Sequence, residues 1–290
     1  MVDMALIIFL VLTALAFDFI NGFHDAANAI STVVSTRVLS PTRAVIWAAF
    51  FNFVAFFLVG VPVAKTIGTG IISPDMISDA VIFAALGGAI AWNPITWYFG
   101  LPSSSSHALI GGLIGAGLVK GGQKVLILAG IQKTALFIVL SPAIGMVLGF
   151  ALMVLVLNLS RRSTVYRADR IFRKLQLISA AVFSMGHGMN DAQKTMGIIA
   201  MILYSRGLLG SVFHIPLWTE ILCYGVISLG TMAGGWRIVK TMGTRITKLR
   251  PIGGFCAETA AAGAIIGASL AGIPVSTTHT ITGAIVGVGA

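Results

Sequence analysis

The chain has 290 residues, of which 57% are hydrophobic and only 10% carry a charge. An average soluble domain has about 25% charged residues, so this chain is too apolar for a soluble protein and its composition indicates a polytopic membrane protein. The formal net charge is +10, but the basic residues lie in short loops between apolar segments. That distribution is typical of membrane topology and argues against a nucleic-acid partner.

Apolar segments follow one another along most of the chain. Most of them reach the roughly 20 residues that a transmembrane helix needs. Backbone polar groups in lipid must be satisfied within the segment itself. The sequence therefore predicts an all-α, multi-pass protein of the cell (inner) membrane, surrounded by membrane lipid. The candidate spans are 4–20, 44–63, 81–100, 125–159, 175–203, 217–236 and 254–272.

Basic runs predict the topology. The strongest are "RRSTVYRADRIFRK" at 161–174 and "WRIVKTMGTRITKLR" at 236–250, and the positive-inside rule places both on the cytoplasmic side. The 14 residues 106–119 would form a helix of only about 21 Å, whereas the hydrocarbon layer is about 30 Å thick. We therefore predict a re-entrant hairpin at 81–119, entering from outside, and a second one at 254–290, entering from the cytoplasm.

Two motifs recur in both halves of the chain. The first is "NGFHDAANA" at 21–29 and "HGMNDAQKT" at 187–195, and the second is "PSSSSHALIG" at 102–111 and "PVSTTHTITG" at 274–283. Corresponding residues are 166 positions apart in the first motif and 172 apart in the second. Together with hairpins that enter from opposite sides, this indicates an inverted-topology repeat. Secondary transporters with such repeats bind substrate near the middle of the membrane.

The predicted organisation follows from this repeat. Residues 1–159 form the first repeat, 160–174 a basic cytoplasmic loop, and 175–290 the second repeat. Segment 125–159 closes the first repeat as one kinked span, with "SP" at 141–142 at the kink. No counterpart of this span follows the second hairpin, so we expect the second repeat to lack its C-terminal part.

The hairpin tips have the composition of an anion site. Proline suits the start of a helix, and serine or threonine there caps free backbone N–H groups. Each tip should therefore present a helix N-terminus, with its partial positive charge, and several hydroxyl donors. The alternative is that these hydroxyls bond to their own helix or join helices. The candidate substrate-binding residues are Ser103, Ser104, Ser105, Ser106, Ser276, Thr277 and Thr278.

Asp25 and Asp191 are duplicated carboxylates in otherwise apolar segments, where ionisable residues usually mark an ion or substrate pathway. With Asn28 and Asn190, they are candidates to bind the coupling ion or the substrate. Both aspartates could hold a hard cation such as Na⁺ or take up protons. They could also accept a hydrogen bond from a protonated phosphate, which sulfate cannot donate at pH 7. The alternative is that the first motif is merely solvated at the membrane boundary.

Residues around these motifs are assigned supporting roles. Glycines beside both carboxylates predict locally unwound backbone whose carbonyls would help to bind a cation; they are Gly22, Gly186 and Gly188. Candidates for a second layer around the site are His107, His279, Lys194 and Glu258. Each histidine either lies beside the anion or holds its turn through a backbone bond.

These motifs resemble the PiT family of inorganic phosphate transporters. The resemblance extends to "VAKTIGTGI" at 63–71 and "GFCAETAAAG" at 254–263, and so runs over nearly the whole chain. It implies secondary transport of phosphate, coupled to Na⁺ in some members and to H⁺ in others. Some members accept phosphate as a metal complex, and related bacterial permeases carry sulfate. The family's aspartates fall on Asp25 and Asp191, and its hairpin hydroxyls on Ser103 to Ser106 and Ser276 to Thr278.

The sequence thus favours a cation-coupled phosphate transporter that works by alternating access. We expect no resident cofactor, and the protein could assemble as a homo-oligomer. A sulfate permease on the same scaffold is the first alternative. A membrane enzyme acting on a phosphorylated lipid is disfavoured, because the sequence has neither an Asp-rich metal cluster nor an obvious nucleophile–base pair. An anion channel is also disfavoured, because paired aspartates suit cation coupling better.

Overall fold

The computed structural model describes residues 4–58, 60–73, 77–210 and 212–290. Within these ranges every regular element is helical, which confirms the predicted all-α class. Short 3₁₀ turns lie at Ala55–Phe57 and Gly122–Val125, and a π turn at Met242–Ile246. The α-helices are α1 Met4–Ser35, α2 Pro41–Val54, α3 Pro62–Gly70, α4 Asp79–Tyr98, α5 Ser105–Gly121, α6 Leu128–Ser160, α7 Val165–Ser205, α8 Leu217–Ala233, α9 Trp236–Thr241, α10 Pro251–Leu270 and α11 Thr277–Gly289.

Several helices are suited to lipid. In the described part of the chain, α1, α4, α6 and α10 are long and apolar enough to cross a membrane, and the bent pair α2–α3 would make a fifth span. Large apolar side chains such as Phe50, Val139 and Leu159 are exposed on the surface. A soluble protein rarely exposes such continuous apolar surface, so these faces are typical of contact with lipid.

Two predicted boundaries were wrong. The span expected at 44–63 is divided into α2 and α3, whose axes differ by 82°; Pro62 starts α3, in agreement with the preference of proline for the first helical turn. The loop expected at 160–174 is mostly helical, because α7 begins at Val165, where the N-cap Thr164 accepts a hydrogen bond from the Arg167 N–H. Its basic residues are good helix formers. By contrast, α6 continues through Pro142 as the single helix that was predicted.

Helices α1 and α7 carry the two carboxylate motifs and pack against each other. Helix α1 also packs against α8 and α4, and α7 against α10 and α3. Helices α4 and α5 pack together as one hairpin, and α10 and α11 as another. We define the first tip as residues 99–106 and the second tip as residues 271–278. The fold thus surrounds each carboxylate helix with elements from both halves of the chain.

Each tip turns at a glycine and is contacted by a short helix. Gly100 and Gly272 both have φ +66°, a left-handed conformation that glycine adopts without strain. At the first tip, Arg237 of α9 donates a hydrogen bond of 2.6 Å to the Tyr98 carbonyl and lies over the Tyr98 ring. At the second, the Thr66 hydroxyl of α3 donates a hydrogen bond of 2.6 Å to the Gly272 carbonyl. The short helices α3 and α9 therefore hold opposite tips.

The prediction of unwound backbone at the motif glycines was wrong. Helices α1 and α7 run without interruption through Gly22, Gly186 and Gly188. A Cβ atom on Gly22 would lie 2.2 Å from the Ile227 carbonyl oxygen of α8, and one on Gly188 would lie 2.6 Å from the Asn52 carbonyl oxygen of α2. Small residues permit such close approach between membrane helices. These glycines therefore serve helix packing, and their carbonyls remain within the helical backbone.

This packing role is testable with Gly22→Ala. Because the added Cβ would overlap a backbone carbonyl, we expect a loss of about 1–3 kcal/mol of stability, as for other overpacked sites. Gly225→Ala on α8 is the matched control, since nothing lies within 4 Å of its Cβ position. Thermal unfolding in detergent should show a lower midpoint for Gly22→Ala alone. Equal midpoints for both variants would contradict the packing role.

Candidate functional site

The first turns of α5 and α11, which follow the two tips, meet. The imidazole rings of His107 and His279 are in edge contact, with centroids 4.8 Å apart. Ser104 caps α5 by accepting a hydrogen bond from the His107 N–H at 3.2 Å, and Ser276 caps α11 by accepting one from the His279 N–H at 3.1 Å. The predicted capping is therefore confirmed. It follows that two helix N-termini, each with a partial positive charge, begin close to each other.

Asp191 lies beside the second tip and is fully buried. The Thr277 hydroxyl donates a hydrogen bond of 3.0 Å to its Oδ2 atom. Lys194 Nζ donates to its Oδ1 atom, and His187 Nε2 lies 3.2 Å from Oδ2. Since a buried carboxylate is costly without partners, these close contacts offset the cost of burying Asp191 in the protein interior.

Asp25 has looser surroundings. His24 Nδ1 lies 2.8 Å from its Oδ1 atom, but the hydroxyls of Ser105 and Thr278 lie 3.4 Å away and that of Thr277 lies 3.5 Å away. A normal O–H···O hydrogen bond is about 2.7–2.8 Å long. Asp25 is therefore surrounded by oxygen atoms that bind it only weakly, and both tips contribute them.

The two aspartates are close enough to share a cation. One oxygen of Asp25, one oxygen of Asp191 and one ring nitrogen of His187 all lie within 4.8 Å of one another. All three residues are at most 1% exposed. Carboxylate and hydroxyl oxygens suit a hard cation such as Na⁺, whereas the imidazole nitrogen also suits a divalent transition metal. The geometry thus permits a cation between the two halves.

The two asparagines have different partners. The Asn28 side-chain amide donates a hydrogen bond of 2.9 Å to the Thr278 hydroxyl and so connects α1 to the second tip. The Asn190 amide donates one of 2.8 Å to Ser269, and its oxygen accepts one of 3.3 Å from the Val275 N–H. Asn190 therefore positions the turn between α10 and α11, whereas Asn28 lies in the same hydrogen-bonded group as Asp25.

Other predicted residues lie at varying distances from the carboxylates. The Ser106 hydroxyl accepts a hydrogen bond of 2.5 Å from Lys194, which places Ser106 at the centre. Ser103 donates to the Thr96 hydroxyl of α4 at 2.9 Å. Glu258 is bound by Gln176 at 3.1 Å and Ser179 at 2.5 Å, both on α7. Glu258 therefore belongs to a separate buried polar group on α7 and α10.

Sequence reasoning missed Asp18 on α1. It is fully buried, and its Oδ1 atom accepts a hydrogen bond of 2.8 Å from the Thr195 hydroxyl of α7. The signal was present in the sequence, because Asp18 is an ionisable residue inside the apolar segment 4–20. His187, the first residue of the second carboxylate motif, was given no role by sequence reasoning. Its Nδ1 atom lies 3.1 Å from Asn52 Oδ1 of α2, a contact that orients the ring toward Asp191.

Comparisons with known proteins identify the family of the chain. The family model described as "Phosphate transporter family" matches residues 21–170 and 160–290. A "Probable low-affinity inorganic phosphate transporter" of Rhizobium meliloti (strain 1021) is 60% identical over 98% of this chain and 85% of its own length. A protein of the same description from Bacillus subtilis (strain 168) is 48% identical over 98% of this chain and 86% of its own.

A solved structure shares the fold. "The sodium-dependent phosphate transporter" superposes with a TM-score of 0.89 and 24% identity, covering 99% of this chain and 90% of its own. The similar proteins are described as transporters, so the membrane-enzyme alternative gains no support. Since the family model matches most of the chain and the resemblance found in the motifs is confirmed, this multi-pass integral membrane protein belongs to the phosphate transporter family.

Proposed function

We propose that the chain is a secondary active transporter of inorganic phosphate, coupled to a cation gradient of Na⁺ or H⁺ and working by alternating access. One observation carries this proposal. The hydroxyl of Thr277, the first residue of α11, contacts both carboxylates, at 3.0 Å from Asp191 Oδ2 and 3.5 Å from Asp25 Oδ2. An anion at the helix N-terminus and a cation at the carboxylates would thus share a ligand.

The tips supply the chemistry for the anion. Two capped helix N-termini and their hydroxyls favour a tetrahedral oxyanion without a buried arginine. Phosphate at neutral pH keeps a proton that it can donate to a carboxylate, whereas sulfate has none. The carboxylates therefore favour phosphate over sulfate as the substrate.

The carboxylates require a cation if phosphate is to bind beside them. Asp25 and Asp191 would repel an anion unless their charge is compensated. A transported Na⁺ or proton would supply this compensation and couple the two fluxes. The His187 nitrogen within the same 4.8 Å group makes a divalent metal–phosphate complex the alternative substrate.

Alternating access would move the two hairpins. Helix α11 has 13 residues and would be about 20 Å long, too short to cross a bilayer core of about 30 Å. We infer that both hairpins are re-entrant and enter from opposite sides as an inverted repeat. The contacts of α3 and α9 with opposite tips support this inference, since each could open one side of the site.

Uptake measurements test the substrate and the coupling. Purified protein in liposomes should accumulate labelled phosphate under an inward Na⁺ or H⁺ gradient and discriminate against sulfate. Flux that does not depend on either gradient would refute coupling. Preference for sulfate would refute the substrate, and accumulation only with a divalent metal would identify the metal complex as the transported species.

Replacing either central carboxylate should abolish coupled uptake. Asp25→Asn and Asp191→Asn keep the size of the side chain but remove its charge, so neither variant should accumulate phosphate against its gradient. Asp169→Asn is the matched control, because Asp169 is half-exposed and, within the described part of the chain, forms an ion pair with Arg173 alone. It should retain wild-type uptake. Full activity in both central variants would contradict the proposed role of the carboxylates.

The shared hydroxyl can be removed alone. Thr277→Val keeps the shape of the side chain, and loss of a buried hydrogen bond of this kind costs about 1–3 kcal/mol, so uptake should fall about 5- to 150-fold. Thr280→Val is the control, because among the described residues the Thr280 hydroxyl donates to the carbonyl of Ser276, the N-cap of its own helix, and to no other group. Equal uptake rates for the two variants would show that Thr277 is not a ligand.

A further inference from the structure

The two carboxylate motifs carry different residues at a position beside the site. Three residues after Asp25 the chain has Asn28, and three residues after Asp191 it has Lys194. One contact of each residue is equivalent. Asn28 donates to the Thr278 hydroxyl of the second tip, and Lys194 donates to the Ser106 hydroxyl of the first tip. A neutral amide in one half is therefore replaced by an ammonium group in the other.

The ammonium group is held as a bound cation would be. Lys194 Nζ donates to Asp191 Oδ1, to Ser106 Oγ at 2.5 Å and to the Val275 carbonyl at 2.9 Å. These three bonds use all three protons of the ammonium group. A carboxylate, a hydroxyl and a backbone carbonyl at the end of a broken helix are also the ligands that Na⁺ takes in transporters. The side chain is 1% exposed, so water does not compete.

The two carboxylates consequently differ. Asp191 forms close contacts with Lys194 and Thr277, whereas the tip hydroxyls around Asp25 remain at 3.4–3.5 Å. A second cation at Asp191 would meet the positive charge of Lys194 and be repelled. Asp25 has His24 beside it but no lysine.

We propose that the Lys194 ammonium is a tethered cation that replaces one transported cation, so that only Asp25 of the pair binds a coupling cation from solution. Each phosphate would then be transported with one cation fewer than in a transporter in which both aspartates bind a cation from solution. This inference rests on the proposed transport function for its consequence, but the number of bound cations can be measured without transport.

Equilibrium binding of ²²Na⁺ to purified protein tests the inference. Lys194→Asn restores the residue of the first half and frees Asp191, so this variant should bind one more Na⁺ per chain than wild type. Its phosphate uptake should reach half-maximum at a Na⁺ concentration about tenfold lower, within the usual range of coupling between sites. Lys194→Arg keeps the positive charge beside Asp191, so it should bind no more Na⁺ per chain than wild type. Lys65→Asn, on the exposed face of α3, is the control for the same substitution elsewhere.

Other results would overturn the inference. If Lys194 is instead a phosphate ligand, Lys194→Asn will raise the KM for phosphate and bind no additional Na⁺. If Lys194→Asn does not fold, Asp191→Asn decides: an unchanged Na⁺ count relative to wild type supports the inference, and loss of one bound Na⁺ overturns it. If the wild-type protein does not transport phosphate but Lys194→Asn binds one more Na⁺ than wild type, the proposed function is wrong. The inference that Lys194 replaces a bound cation would still be supported.

Discussion

Two carboxylates buried in a membrane protein are the constraint on which the structure depends. Asp25 and Asp191 are at most 1% exposed, and an ionised group at that depth needs partners. The partners come from the tips and from the helices that carry the aspartates: Ser105, Thr277, Thr278, His24, His187 and Lys194. The carboxylates thus determine where the tips lie. The hydroxyls of the capped tips in turn donate hydrogen bonds to the carboxylates. Burying the carboxylates without the tips, or the tip hydroxyls without the carboxylates, would cost more free energy.

Close helix packing makes this arrangement possible. Gly22 brings α1 against the backbone of α8, and Gly188 brings α7 against that of α2. At these distances the side chains of α1 and α7 reach residues on both hairpins. The short helices α3 and α9 then hold the tips from outside the site. These contacts lie on the turns that precede the helix N-termini facing the carboxylates.

The two central carboxylates occupy matching places in the two sequence motifs but differ in the charges around them. Lys194 compensates Asp191 within the protein, whereas Asp25 relies on hydroxyls at 3.4 Å or more and on His24. A cation that entered the site would therefore meet two different environments a few ångströms apart. The inverted repeat itself stays a prediction, but the matching contacts of Asn28 and Lys194 with opposite tips are what such a repeat would produce.

The sequence alone determined the helical membrane class, both carboxylates and the two serine caps, because these depend on local composition and on residues three or four positions apart. It failed where distant packing decides: the motif glycines stay helical, the span at 44–63 is divided, and Glu258 joins a group away from the carboxylates. Only the tertiary structure brought Asn28 to Thr278, 250 residues away. Such contacts depend on how the helices pack, which no local pattern of residues encodes.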